Sequence, residues 1–476
     1  MSTNTQTKSW NLRTLFWELV VLLFMFGFRF LPPFGEMTQL GMEIAGIFIG
    51  AIIGWITIGM VFPNIAGIIA LGFSSAYPDM ITCFQSTFAS DTVVMMLGCL
   101  FICAFIEATN LTHVIIGFLL NLKIAKTSII AFLILFFLAC WLVSALSSSI
   151  LAVYLFIIMY REMTKKANIP PHTKLNSFML CGIGLISVLG DISFPFKPTA
   201  VLILSVLESF TGEAFSFGFY LLYCTSFQFV LIILFVLLGR FVLRLDFSQI
   251  EQTEVEKVKP NIKQLIGLWC SFLMIVAFAL SSTNLPVFSS LGLGGVSLVL
   301  LLIMVFIQVD GKPLLDPMEL AGKFNWPIYL LMCFFMAIAN FLGSDTTGIT
   351  ASFKELFSPI LTAVPPFLFV IIALVLSTVL TNFLNNMPVA VIFISTMYAL
   401  SDSMPSINLT AASLAIIMAA FAACATPAAN PANALAFSNT DLIATGTSIK
   451  IGTICCGILC LICIVIYFPL LNFLLP

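Results

Sequence analysis

The sequence predicts an all-α, polytopic membrane protein of about 11 spans, folded as two inverted repeats, each with a re-entrant hairpin and a broken helix. Three observations carry this expectation. The chain of 476 residues is 61% hydrophobic and 8% charged, with a mean hydropathy of +1.15. Soluble domains run near 25% charged, so this much apolar surface has no globular core to hide in. Two long tracts, Thr127–Tyr160 and Leu356–Ser401, carry no charged residue and hold small polar clusters at their middles. Finally, the second half of the chain repeats the layout of the first at an offset of about 235 residues.

The first repeat covers 1–240. Its scaffold spans fall within 14–109: one near 14–31, one near 41–62, a short Gly-containing one near 64–80 and one near 91–109. Lys8 and Arg13 precede the first span, and no small-residue cleavage site follows it, so it is read as a retained helix rather than a signal peptide. An inward hairpin occupies 125–160 and turns at "SALSSSILAV", residues 144–153. The tract is too long for one span and too short for two with a loop, which favours a segment that enters the bilayer and leaves on the same side. A broken helix covers 176–209, interrupted by "SFPFKP", and a span follows near 216–240.

Residues 241–263 carry both signs of charge and form a cytoplasmic linker. The second repeat covers 264–476. Scaffold spans lie near 264–282, 290–309 and 326–343, an outward hairpin at 364–401, a broken helix at 410–437 interrupted by "TPAANPAN", and a last span at 450–474. Lys123, Lys126, Arg161, Lys165, Lys166 and Lys174 flank the first hairpin, whereas Lys354, Glu355 and Asp402 flank the second. The positive-inside rule therefore places the N-terminus and the first hairpin's mouth in the cytoplasm and the C-terminus outside, in a cell inner (plasma) membrane.

The repeat is visible in the residues themselves. "MMLGCLFICAFIEATNLTHVI" (95–115) lies over "LLMCFFMAIANFLGSDTTGIT" (330–350), "SALSSSILAV" over "TNFLNNMPVA" (381–390), and "SFPFKPTAVLI" (193–203) over "TPAANPANALA" (426–436). Two halves of opposite orientation, each with a broken helix, point to a secondary transporter with its site near the midplane.

Composition excludes other classes. A formal net charge of −2 gives no footing for nucleic acid. The thirteen cysteines, among them Cys99, Cys103, Cys140, Cys333, Cys455, Cys456 and Cys460, sit mostly in apolar segments and read as small hydrophobes rather than disulfides or a zinc site. With His113 and His172 the sole histidines and no HExxH, no metal-dependent enzyme is expected. Ser147–Ser149 have no base paired to them by motif, so the chain is read as no enzyme. The glycines of "LGLGG" (291–295) lack the strand–turn–helix setting of a nucleotide site. Glu43 and Glu107 lie within or at the ends of spans, and Glu107, followed by "ATNLTH", reads as a helix-end charge rather than a proton relay.

The order of span, horizontal helix, polar hairpin tip and Pro-broken helix resembles the divalent anion:sodium symporter family of the ion transporter superfamily, which includes the sodium-coupled di- and tricarboxylate carriers. The likeness covers almost the whole chain in organisation, and its motifs are short. It implies an elevator-type importer of a small organic anion, coupled to sodium, with no other cofactor, working as a homodimer in the lipid bilayer. In that family each tip carries Ser-Asn-Thr. Here the tips read Ser147-Ser148-Ser149 and Asn385-Asn386-Met387. Ser148 lacks the amide oxygen of Asn, and Met387 lacks the hydroxyl of Thr. The family's T-P-P-N-like run aligns with Asn430-Pro431-Ala432-Asn433 and, in the first repeat, with Lys197-Pro198-Thr199-Ala200, with Pro195 as an added breaker.

The resemblance thus implies substrate contacts from Ser147, Ser148, Ser149, Lys197, Thr199, Asn385, Asn386, Asn430 and Pro431, and sodium ligands from Asn386, Thr426, Asn433 and Ser147. Neutral amide and hydroxyl oxygens suit a hard cation. Lys197 is the main departure, since a charge at membrane depth is functional by default. It either takes the place of a sodium ion at the first tip or pairs with a substrate carboxylate, with Asp191 as its charge partner. Plainer readings stand beside these: close helix packing for the serines, and a snorkelling Lys197 with Asp191 as a helix cap. An alternative function is a proton-coupled antiporter or oxyanion exporter of the same superfamily, using Asp191 and Lys197.

Overall fold

The computed structural model describes residues 12–194, 197–211, 216–250, 259–280, 286–342, 344–349, 351–352, 355, 364–401 and 404–475. Lys8, Pro195, Lys354, Asp402 and the linker charges of 251–257, all singled out above, lie outside the described residues.

The chain is an all-α membrane protein. In order, the helices are α1 (Leu12–Gly27), α2 (Gln39–Thr57), α3 (Val61–Gly72), α4 (Met80–Phe88), α5 (Asp91–Ala108), α6 (Leu111–Leu120), α7 (Ile129–Leu146), α8 (Ser149–Lys166), α9 (Lys174–Gly190) and α10 (Pro198–Thr211). There follow α11 (Phe217–Val242), α12 (Ile262–Leu280), α13 (Pro286–Phe306), α14 (Trp326–Leu342), α15 (Pro366–Leu380), α16 (Asn386–Ala399), α17 (Leu409–Phe421), α18 (Pro431–Phe437) and α19 (Thr445–Leu474). Among the described residues, α2, α5, α7, α11 and α19 are long and apolar enough to cross a bilayer unaided. Most of the others are shorter apolar helices.

Several expectations are corrected. The span placed near 64–80 is α3, which stops at Gly72, followed by the separate α4 capped by Asp79. The first hairpin, placed at 125–160, is two full helices of 18 residues each, α7 and α8. At 1.5 Å per residue each arm is about 27 Å long. The charges do not end the helix at Tyr160, since α8 runs through Arg161 to Lys166. Basic side chains in a last turn instead favour it, through the helix dipole. A two-residue-strand hairpin, Gln308–Val309 against Lys312–Pro313, went unforeseen. Its turn, Asp310-Gly311, has both residues at positive φ, the conformation that Asp-Gly adopts in tight hairpins.

The described contacts group into two compact units, each drawing on both halves of the sequence. The smaller one comprises residues 1–90 and 326–358, thus α1–α4 and α14. Within it Trp55 stacks on Phe335 at 5.8 Å and donates through Nε1 to Asn64 Oδ1 at 2.9 Å. Glu43 is buried there, and its carboxylate accepts from the Ser75 amide at 2.7 Å and lies 3.7 Å from Arg29.

The larger unit holds α5–α13 and α15–α19. Here the sequence of hairpin, helix, break and half-helix occurs twice: α7–α8, α9 and α10 in the first half, α15–α16, α17 and α18 in the second. The packing is crossed. The second arm of each hairpin lies on the half-helix beyond the other half's break, α8 on α18 and α16 on α10. The Arg161 guanidinium ties α8 to the loop after α18, donating to Asp441 at 2.5 and 2.7 Å and to Asn439 Oδ1 at 2.7 Å. Those hydrogen bonds hold the Asp441 carboxyl below the usual carboxylate range.

Candidate functional site

The first tip is the turn between α7 and α8. Ser147 ends α7, and its hydroxyl donates back to the Val143 carbonyl at 2.9 Å. Ser148 caps α8, its Oγ accepting from the Leu151 amide at 3.3 Å. Ser144, one turn earlier, donates to the Ser187 carbonyl of α9 at 2.5 Å. Three of the four serine hydroxyls therefore build the turn and its seat on α9. Ser149 lies half-buried at the start of α8. What remains unused by the turn is backbone: the carbonyls at the end of a helix have no amide four residues on to bond.

Those carbonyls are taken by Lys197. Its ammonium donates to Ser147 O at 2.7 Å and Ser144 O at 3.0 Å, and lies 3.3 Å from Asp191 Oδ1. Lys197 is 4% exposed and the Asp191 side chain 25%. The lysine does not snorkel to an interface. Lys197 reaches this point because α9 stops at Gly190 and α10 starts at Pro198, so that the described residues between them, 191–194 and 197, belong to neither helix. Thr199 sits half-buried in the first turn of α10.

The unwound segment is held from outside by α11. The Tyr220 hydroxyl donates to Ile192 O at 2.5 Å, the Thr225 hydroxyl to Ser193 O at 2.7 Å, and Gln228 Oε1 accepts from Ser193 Oγ at 2.5 Å and Trp141 Nε1 at 2.7 Å. These partners were missed by sequence reasoning. Gln228 left a signal, being the one amide in the apolar span 216–240.

The second tip joins α15 to α16 through residues 381–385. Asn385 caps α16, accepting from the Met387 amide at 3.1 Å. Asn386 is 4% exposed and its Oδ1 lies 2.8 Å from the Thr381 hydroxyl, which is also 2.5 Å from the Ala420 carbonyl. Asn382 is equally buried. Its Nδ2 donates to Thr378 O at 2.8 Å, its Oδ1 accepts from the Ala425 amide at 2.8 Å, and its carbonyl accepts from the Thr426 hydroxyl. In the sequence, Thr381 and Asn382 carry no signal that sets them apart from the neighbouring Asn385-Asn386 pair.

Beyond α17 the chain unwinds over 422–430. Asn433 Nδ2 donates to the Ala423 carbonyl at 2.5 Å, and Asn430 Oδ1 accepts from the Asn433 amide at 2.9 Å. Gly184 of α9 makes room for this: a Cβ there would stand 2.3 Å from Asn433 Oδ1. Asn430 Nδ2 is buried and has no hydrogen-bond partner. Pro431 opens α18 and is exposed. Cys424 and Cys456 line the back of this break, their sulfurs 3.5 Å apart.

The site residues thus fall into two clusters. Ser147, Lys197 and Asp191 meet at the first tip. Asn386, Thr426, Asn430 and Asn433 gather with Thr381 and Asn382 around the second. The first cluster holds a buried ammonium paired with a carboxylate; the second presents neutral amide, hydroxyl and carbonyl oxygens.

Residues 40–421 match the citrate transporter family, CitMHS. The matched stretch includes both hairpin tips, Asp191 and Lys197, and ends at Phe421, where the second helix breaks. No curated protein matches the chain. With two hairpins, two breaks and a family match over most of its length, the chain belongs to the citrate transporter family, secondary carboxylate transporters of the membrane rather than enzymes.

Proposed function

We propose that this protein imports a di- or tricarboxylate in symport with sodium, using the second tip as the sodium site. The carrying observation is the chemical contrast of the clusters. At the second tip Asn386 Oδ1, Thr381 Oγ1, the Ala420 carbonyl, Asn382 and Thr426 concentrate uncharged oxygens in a buried place. Sodium is a hard cation that favours such ligands. Asn430 Nδ2, an amide donor without an acceptor, suits a carboxylate oxygen of the substrate. Ser148, Ser149, Thr199 and Asn385 are placed at tips or in the first turn after a break, where the substrate would contact them.

The remaining features of the proposal follow from the resemblance: an elevator movement, a homodimer, hairpins opening to opposite faces, and membership among the sodium-coupled di- and tricarboxylate carriers. A cytoplasmic N-terminus follows from the basic flanks of the first hairpin.

A second reading, proton-coupled antiport or oxyanion export, is kept by one observation, the contact of Asp191 with Lys197 at 3.3 Å. Uptake of radiolabelled citrate and succinate into proteoliposomes separates the two. An inward sodium gradient is expected to concentrate at least one of these acids at neutral pH, while potassium does not. Uptake driven by a pH gradient in the absence of sodium would overturn the symport reading in favour of the second.

A further inference from the structure

We infer that the Lys197 ammonium is a resident cation: it fills a monovalent-cation cage at the first hairpin tip, so that no ion from solution binds there. A lysine has three N–H donors and no acceptor. Here three oxygens surround the nitrogen, Ser147 O at 2.7 Å, Ser144 O at 3.0 Å and Asp191 Oδ1 at 3.3 Å. Two of the donors go to backbone carbonyls, and the charge is balanced by the Asp191 carboxylate of the chain itself rather than by a substrate carboxylate. The choice posed by the sequence, between a substrate ligand and a substitute for an ion, falls to the second.

The cage would suit a bare cation equally well. Ser144 O and Ser147 O belong to the last turn of an 18-residue helix, the end at which backbone dipoles sum to a partial negative charge. Asp191 adds a full negative charge from the first residue beyond α9. The cage is also rigid. Gly190 brings α9 against α7 so closely that a Cβ there would lie 2.5 Å from Ser144 Cβ and 2.9 Å from Trp141 O. Tyr220, Thr225 and Gln228 fix the segment that carries the lysine. A solution ion would need the same three oxygens and finds them occupied by a group attached to the chain. If the sodium-coupled reading above holds, on which this consequence rests, coupling ions enter at the second tip alone.

The test is chemical rescue. Full-length Lys197→Ala is purified in nanodiscs, and its melting midpoint is read while sodium or propylammonium replaces N-methylglucamine at constant ionic strength. Propylammonium is the fragment that the substitution removes. Lys197→Ala is expected to melt several degrees below wild type in N-methylglucamine and to recover most of that loss, saturably, with propylammonium and in part with sodium. Wild type is expected to show no response to propylammonium. Asn386→Ala, made in both backgrounds, removes any sodium response owed to the second tip and leaves the rescue intact. A folded Lys197→Ala indifferent to both cations would overturn the inference, as would a wild type that responds to propylammonium like the variant. Should Lys197→Ala not fold alone, purification with propylammonium present throughout is expected to recover folded protein, and failure to recover it there would overturn the inference. Rescue without sodium-driven uptake would leave the cage standing and remove the symport reading.

Discussion

Lys197→Met is expected to cost about 3 kcal/mol of stability and to abolish citrate uptake. The substitution keeps the apolar stem of the side chain, so little packing is lost. What is lost is the positive charge between Asp191 and two carbonyls. Removing one partner of a buried ion pair leaves the other uncompensated, at roughly 3–5 kcal/mol. Asp191 retains some contact with water, its side chain being 25% exposed, which places the expectation at the low end. Asp191→Asn added to Lys197→Met is expected to recover part of the loss, because the stranded carboxylate is gone. Thermal unfolding in nanodiscs of the two single variants and the double variant gives the coupling directly. Additive losses, with no recovery in the double variant, would show that the pair does not act as a pair.

The second large effect is expected from Asn382→Ala. This amide bonds the Thr378 carbonyl and the Ala425 amide at 2.8 Å each, and its backbone carbonyl receives the Thr426 hydroxyl. It thereby ties the tip of the second hairpin to the unwound chain beyond α17. Truncation strands a buried amide and relieves Thr378 of a partner, at about 1–3 kcal/mol for an unsatisfied buried group. The loss in function is expected to exceed the loss in stability. With the Ala425 amide released, Thr426 is left held by the backbone carbonyl of residue 382 alone, and the sodium concentration for half-maximal uptake is expected to rise by about 10-fold or more, about 1.4 kcal/mol in binding. Uptake measured against sodium concentration checks this. A variant with normal sodium dependence and reduced stability would make Asn382 a structural tether alone.

Much of the fold was legible because hydrocarbon imposes a strict accounting. A charge-free tract with polar residues at its centre has few ways to satisfy them, and each such tract holds a pair of helices that meet at those residues, α7–α8 and α15–α16. The offset of about 235 residues holds at the level of elements, with α7 ending at Leu146 and α15 at Leu380, and α10 and α18 starting at Pro198 and Pro431. Element ends were less legible. The charge pattern marks the edge of the bilayer, whereas α8 continues through Arg161 to Lys166. The grouping of α14 with α1–α4, and of α5 with α12 and α13, depends on tertiary packing that periodicity does not encode.

At the site, Lys197 drew attention because a lone charge in an apolar tract is conspicuous. The sequence did not disclose that its partners are backbone carbonyls, since carbonyls have no residue-specific signature. Asn382 stood three residues from the pair that was chosen, on a turn whose geometry decides which amide faces the break. Gln228, Thr225 and Tyr220 act across about 30 residues of sequence on the segment they hold. Such long-range positioning groups emerge once the helices are packed.

A carboxylate is expected to bind in this protein with the Lys197 ammonium at one tip and a sodium ion at the other. Equilibrium binding of citrate to the purified wild-type protein, by calorimetry with and without sodium at constant ionic strength, tests it most directly. Binding linkage is reciprocal, so a sodium ion bound with the substrate must raise citrate affinity. A gain of about 10-fold or more, with a first-order dependence on sodium, is the predicted result. Citrate affinity that is the same in sodium and in N-methylglucamine would contradict the account.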